Sequence, residues 1–304
     1  VTLSDARSRF GALPPNVRGA AWMVLAAAGF SLMATLVKLL GQRLDSFQIT
    51  FFRNLFGLTW LLPFALAQGR TAFRTSYLGR HLWRAAMGTS AMLTGFYAVT
   101  HMPLATATSI SFATPLFMIV IGTVVLRERV RWRRWTATVV GFGGVMVMLR
   151  PGAVPVDAAV LSALANALFV AIAQALVKTM PISEKPLTML LIFAVAATGF
   201  MVVPAALVWQ WPTPAEWLMA AAMGGIGITA QGCIIRAFQA GEATAVSPLD
   251  YTRLIFATAL GFAVFAEIPD AWTFVGAAIV IASAVYIARR EGGRSGPTKP
   301  PPGP

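Results

Sequence analysis

The chain has 304 residues, 57% of them hydrophobic and only 12% charged, with a mean hydropathy of +0.71. A soluble domain carries about a quarter charged residues to solvate its surface, so this composition excludes an ordinary globular protein. The net charge of +13 would suit nucleic acid if the cations shared one face, but they sit in short segments between long apolar runs, which excludes that partner and makes a lipid bilayer the surroundings.

Apolar runs fall at 19–40, 46–67, 82–100, 104–126, 132–150, 156–178, 186–209, 215–238, 243–266 and 270–288. About 20 residues cross a bilayer as a helix, and a helix satisfies its own backbone hydrogen bonds in lipid. The pattern therefore predicts an all-α integral membrane protein of ten transmembrane helices. Residues 1–18 form a cytoplasmic segment, 19–150 a first set of five helices, 151–290 a second, and 291–304 a disordered cytoplasmic tail ending Lys-Pro-Pro-Pro-Gly-Pro. The first run is longer than the roughly 7–15 residue core of a signal peptide. It ends in Lys38 without a small-residue cleavage site, and so is expected to stay as an anchor. Pro103, Pro151, Pro155, Pro181 and Pro212 punctuate the joins, where proline stops a helix.

Cations set the orientation. With the N-terminus inside, cytoplasmic segments hold Arg7, Arg9, Arg18, Arg70, Arg74, Arg80, Arg84, Arg127, Arg129, Arg131, Arg133, Arg134, Lys178, Lys185, Arg289, Arg290, Arg294 and Lys299. The outer segments hold Arg43 and Arg150. Short loops with this asymmetry follow the positive-inside rule, which places both termini in the cytoplasm of a bacterial cell. Trp83, Trp132, Trp135, Trp209, Trp211, Trp217 and Trp272 lie near helix ends, the pattern of an interfacial aromatic belt. Cys233 stands alone in an apolar run, so no disulfide or cysteine metal site is available.

The two halves echo each other at an offset near 138. Ala105, Thr106, Ala107, Ser109, Thr114 and Leu116 recur as Ala243, Thr244, Ala245, Ser247, Thr252 and Leu254; Leu36-Val37-Lys38 recurs as Leu176-Val177-Lys178; and Glu128 and Glu267 end the fourth and ninth runs. Five helices per unit is odd, so a duplicated unit enters the membrane upside down, as in secondary transporters whose site lies between inverted repeats.

Ala113-Thr114-Pro115-Leu116-Phe117, Leu126-Arg127-Glu128-Arg129-Val130, Trp135, Gly141, Gly144 and Leu149-Arg150-Pro151-Gly152, with Phe51-Phe52-Arg53-Asn54 earlier, resemble the drug/metabolite transporter superfamily and its ten-helix EamA-type members over about residues 18–290. That resemblance implies two inverted five-helix repeats around a central cavity. It also implies secondary transport, often export, of amino acids, other metabolites or drugs. The second half departs from the motif, with Arg253 where the first half has Pro115.

Four cations, Lys38, Arg53, Arg236 and Arg253, and one carboxylate, Asp250, fall within spans. At about 1.5 Å per residue from a start near Ala243, Asp250 is ~10 Å deep and Arg253 ~15 Å, near the middle of a ~30 Å core. A lone arginine there costs about 2.5–3.5 kcal/mol and needs a cavity or a partner. Asp250 and Arg253 share a helical face at i, i+3. They form either a self-neutralising pair or a carboxylate anchor with its counter-ion, beside a polar stripe of Ser247, Tyr251, Thr244 and Thr258. Thr108, Ser111, Asn166, Gln174 and Gln231 extend a candidate substrate route, or serve as interhelical glue. Lys38 and Arg53 lie in the outer third, where they either snorkel to the headgroups or form an extracellular gate or point of substrate access. Arg236, near an inner end, is expected to snorkel.

His81 and His101 lie at span ends, and no HExxH or GxxxxGK[ST] pattern occurs, so neither a catalytic role, a metal nor a cofactor is expected. The leading functional reading is a secondary transporter that exports amino acids or related metabolites. An uptake carrier for a nucleoside-like or vitamin-like solute is the alternative, and a membrane enzyme or lipid-handling scaffold is the reading from another class. The partners expected are a small-molecule substrate and the bilayer. Reporter fusions after Arg80 and Arg134 should report cytoplasm, and fusions near Arg43 and Pro155 the outside; the opposite pattern would invert the topology.

Overall fold

Proline at position 15 opens the first helix, where its missing N–H costs nothing because first-turn donors have no intrahelical partner. A computed structural model of the chain describes residues 13–69, 75–124, 132–149, 157–178, 186–241 and 246–292. Its helices are α1 (Pro15–Leu40), α2 (Ser46–Gln68), α3 (Leu78–His101), α4 (Leu104–Ser111), α5 (Thr114–Val124), α6 (Trp132–Leu149), α7 (Ala158–Lys178), α8 (Pro186–Leu207), α9 (Pro214–Ala240), α10 (Arg253–Phe265) and α11 (Ala271–Gly292). A 3₁₀ turn at Ser247–Thr252 leads into α10, and no strand occurs among the described residues. The Leu126–Val130 motif, Arg150 to Gly152, Thr244 and most of the terminal segments lie outside the described residues. α11 runs two residues into the segment expected to be tail.

The protein is all-α with about ten helices. Among the described residues six are long and apolar enough to cross a membrane, counting Leu104–Val124 as one, and Trp135–Val147 and Ala271–Ser283 are shorter apolar helices. The fourth and ninth runs are not the continuous helices expected. The fourth breaks at Phe112–Ala113, just ahead of Pro115, which has no N–H to bond the Ser111 carbonyl and restricts the residue before it. The backbone tightens there: Phe112 N–H bonds Ser109 O (3.2 Å) and Ala113 N–H bonds Ile110 O (3.0 Å). From Ser247 to Thr252 the ninth run is a 3₁₀ turn, with Pro248 in its first positions. Asp250 therefore precedes the α-helix, and the depth expected from continuous helical rise does not apply to it. At equivalent positions Thr114 Oγ1 donates to Ser111 O (2.8 Å) and Thr252 Oγ1 to Leu249 O (2.7 Å). One side-chain device thus serves both breaks.

Numbering the apolar runs in order, the first packs on the eighth and the sixth on the third. The second packs on the eighth and the seventh on the third; the first on the ninth and the sixth on the fourth; the second on the seventh and the fifth on the tenth. Exchanging each run for the one five later returns the same pairs. Small residues allow these approaches. A Cβ on Gly224 would stand 2.5 Å from Phe56 Cβ, and one on Gly144 would stand 2.9 Å from Gly276 O. The outward faces stay apolar: Leu66, Val139, Val203, Ile255 and Phe262 are among many exposed large hydrophobics, as lipid contact demands. Trp83, Trp132, Trp135, Trp211 and Trp272 are exposed and fit the interfacial belt. Trp209 and Trp217 do not. Their rings lie 5.4 and 4.9 Å from that of Phe52, in an internal aromatic cluster.

Gly224→Ala should cost about 1–3 kcal/mol by overpacking α9 against α2, whereas Gly232→Ala, with open space where the Cβ would go, should cost nothing. Thermal unfolding in detergent measures both; equal effects would deny the tight seam.

Candidate functional site

The two helix breaks meet. Phe112, at the break in the fourth run, packs edge-on against Tyr251, in the 3₁₀ turn that precedes α10, with ring centroids 4.9 Å apart. Immediately beside this contact Arg253 Nη2 donates to Asp250 Oδ1 at 2.6 Å, closing the i, i+3 pair that the spacing predicted. The guanidinium carbon lies 5.0 Å from the centre of the Phe30 ring, and Ser31 Oγ donates to the Arg253 carbonyl at 3.1 Å. α1 therefore holds both the backbone and the side chain of Arg253. Asp250 and Arg253 keep a quarter to a third of their side chains exposed, so the pair is accessible without being a surface pair. Arg253 Nε has no partner and leaves a donor unused.

The other predicted polar residues are more dispersed. Thr108 is buried in α4, and its carbonyl accepts from Ser111 Oγ at 2.7 Å. Asn166 donates its amide to Ala91 O at 2.7 Å, tying α7 to α3. Gln231 is half-buried on α9 and Gln174 is exposed on α7. Ser247 opens the 3₁₀ turn. Thr258 Oγ1 is buried without a partner. Arg236 is exposed, 4.9 Å from the centre of the Trp22 ring.

Lys38 and Arg53 differ sharply. Lys38 does not reach for headgroups: Nζ pairs with Glu267 and donates to Met102 O at 2.6 Å. Glu267 also accepts from Leu104 N–H at 2.8 Å, at the start of α4, where a helix N-terminus favours an anion. One carboxylate thus joins the ends of α1, α3, α4 and α10. Its placement depends on Ala266, whose φ of 54° and ψ of 30° form a left-handed cap that turns the chain after α10; glycine normally takes this position. A second latch lies at the same end. Arg43 pairs with Glu216 and donates to Trp211 O at 2.8 Å, which raises the Arg43 pKa through the Glu216 carboxylate. Glu216 also completes a capping box with Thr213. Arg53, by contrast, is 5% exposed and has no carboxylate partner among the described residues.

Sequence reasoning noted Glu267 only as a repeat marker and passed over Glu216. The signal available was a carboxylate at a span end on the same side of the membrane as Lys38 or Arg43. Glu267→Gln removes the counter-charge of Lys38 and should lower the unfolding midpoint, while Lys38→Met combined with Glu267→Gln should recover part of the loss, because breaking a buried pair is costlier than removing it. Additive losses in that double-mutant cycle would show that the two side chains are not coupled.

Comparison with known proteins gives a consistent family. The model for the EamA-like transporter family matches twice, at residues 17–150 and 157–289. The chain is 33% identical over 281 residues to an S-adenosylmethionine uptake transporter of Rickettsia prowazekii, covering 92% of this chain and 95% of the relative. It is 31% identical to a riboflavin transporter of Rhizobium johnstonii, covering 90% and 92%. A pseudopaline exporter of Pseudomonas aeruginosa is 28% identical, covering 89% and 95%. One solved crystal structure superposes with a TM-score of 0.58 at 18% identity, over 88% of this chain and 98% of that one, a likeness of fold.

Proposed function

The chain belongs to the EamA-like transporter family, and from that premise we propose that it takes up a nucleoside-like or vitamin-like solute across the bacterial inner membrane. The observation that carries the reading is the meeting of two broken spans at the Arg253–Asp250 pair, since interrupted helices at a repeat interface are where secondary transporters bind. A guanidinium and a carboxylate side by side suit a solute with opposite charges, and Tyr251, Phe112 and Phe30 supply aromatic faces for a ring. S-adenosylmethionine and riboflavin, the solutes named for two relatives, both contain such rings. Amino-acid export, the leading reading from sequence, gives way because the relatives of higher identity are named for uptake or for a vitamin. Export is kept as a second reading by the similarity to a pseudopaline exporter.

The architecture proposed with it is ten spans in two inverted five-helix repeats. The family match in each half, the exchange symmetry of the packing and the equivalent breaks at Thr114 and Thr252 support it. Both termini lie in the cytoplasm, on the charge asymmetry. Thr108, Ser111, Asn166, Gln174, Gln231 and Ser247 border the proposed route, and the Lys38–Glu267 and Arg43–Glu216 latches form its outer gate.

Purified protein in liposomes should accumulate S-adenosylmethionine or riboflavin, tested with and without a proton gradient. Arg253→Lys should weaken uptake by at least about tenfold, equivalent to about 1.4 kcal/mol, because lysine lacks the planar fork. Arg253→Met with Asp250→Asn should fold yet transport poorly. Normal transport by that double mutant would make the pair structural.

A further inference from the structure

Of the four cations that the sequence places within apolar runs, Lys38 is neutralised by Glu267, Arg253 by Asp250, and Arg236 is exposed. Arg53 alone of the four is buried without a counter-charge. Among the described residues its only hydrogen bond is a long one, Nη1 to Asn54 Oδ1 at 3.4 Å, and Nε is buried with no partner. Asn54 is itself held by Thr50 O at 2.9 Å, so it steadies the guanidinium without neutralising it. Thr50 Oγ1, one turn earlier, is likewise buried and unpartnered. Thr50, Arg53, Asn54 and Gly57 follow i, i+3, i+4 and i+7 spacing and so share one face of α2.

The surroundings close tightly on this group. Arg53 Nη2 lies 3.3 Å from where a Cβ on Gly227 would stand, and Nη1 lies 3.8 Å from where one on Gly57 would stand. Met33 of α1 also borders Gly227, with Sδ 3.0 Å from that Cβ position. Two glycines and a thioether flank the guanidinium, and none supplies the counter-charge that a carboxylate would. A charge held in this way destabilises the fold, and ionisable side chains kept inside a membrane protein commonly mark substrate or ion pathways.

We propose that Arg53 is the seat for an anionic oxo group, a carboxylate or a phosphate, of the transported solute, with the Thr50 hydroxyl as a second donor. The chemistry follows from the guanidinium, whose parallel N–H groups match two oxygens of either anion. This rests on the reading of the chain as a carrier and narrows its substrate class to solutes bearing a negative group. Arg53 is sealed where α9 meets α2, so the anion reaches it when the Gly224–Gly225–Gly227 seam parts.

Two measurements decide the matter. In the first, Arg53→Met replaces the charge with an apolar side chain of similar length, and thermal unfolding is followed in detergent. The expected midpoint is equal to or above that of the wild type, because an uncompensated charge has gone; a clear fall would assign Arg53 a structural role and overturn the proposal. The second titrates wild type and Arg53→Met by tryptophan fluorescence with two pairs of probes: S-adenosylmethionine against its methyl ester, and adenosine 5′-monophosphate against adenosine. In the wild type the member of at least one pair that bears the carboxylate or phosphate should bind about tenfold tighter than the mate that lacks it, and Arg53→Met should erase that gap. A gap in the first pair identifies a carboxylate and in the second a phosphate, while a gap that survives in the mutant sinks the proposal. If none of the four binds the wild type, the nucleoside reading of the solute fails, and the unfolding measurement still decides the role of Arg53.

Discussion

Hydrocarbon offers no hydrogen bonds, so each backbone N–H and C=O within the membrane must find its partner in the protein. That constraint makes long helices the default here, and it makes the two departures from helix informative. Both breaks are patched by a threonine hydroxyl on the carbonyl three residues before it. They also face one another through Phe112 and Tyr251. A broken helix exposes polar backbone, and placing two breaks together confines that polarity to one region of the bundle. The Arg253–Asp250 pair is found there because charge is least costly where polarity is already present.

The charges at the other end of the bundle obey a related rule. Lys38, Met102 O, Glu267 and Leu104 N–H form one network, and Arg43, Glu216, Trp211 O and Thr213 form another. Each connects elements more than 60 residues apart in sequence. Charged hydrogen bonds of this kind are stronger than neutral ones, but they can be exchanged for water when the ends separate. Apolar packing along the seams gains nothing from water and parts only where another surface or a solute takes its place. A bundle whose ends are held by ion pairs and whose seams are lined by glycine is therefore suited to parting between helices while each helix stays intact.

Much of this was legible in the sequence. The length and apolarity of each run locate the helices, because crossing a bilayer is a local demand met within about 20 residues. The i, i+3 spacing of Asp250 and Arg253 and the echo of residues 105–116 in 243–254 are likewise local patterns, and both reappear as geometry. The Trp positions were legible only in part. Proximity to a helix end is a local property, whereas the packing of Trp209 and Trp217 on Phe52 depends on how α2, α9 and the segment after α8 converge.

The sequence by itself thus determined the all-α class and where the apolar helices lie, since both depend on neighbouring residues and on the solvent. Tertiary structure alone decided which charges are satisfied. Lys38 and Glu267 are 229 residues apart, and no periodicity links them. Arg53 looks like Lys38 in sequence, a single cation in the outer part of an apolar run, yet one is paired and the other is not. The reason is physical: a buried charge is fixed by whatever lies within a few ångströms, and in a bundle of ten runs those neighbours come from other helices.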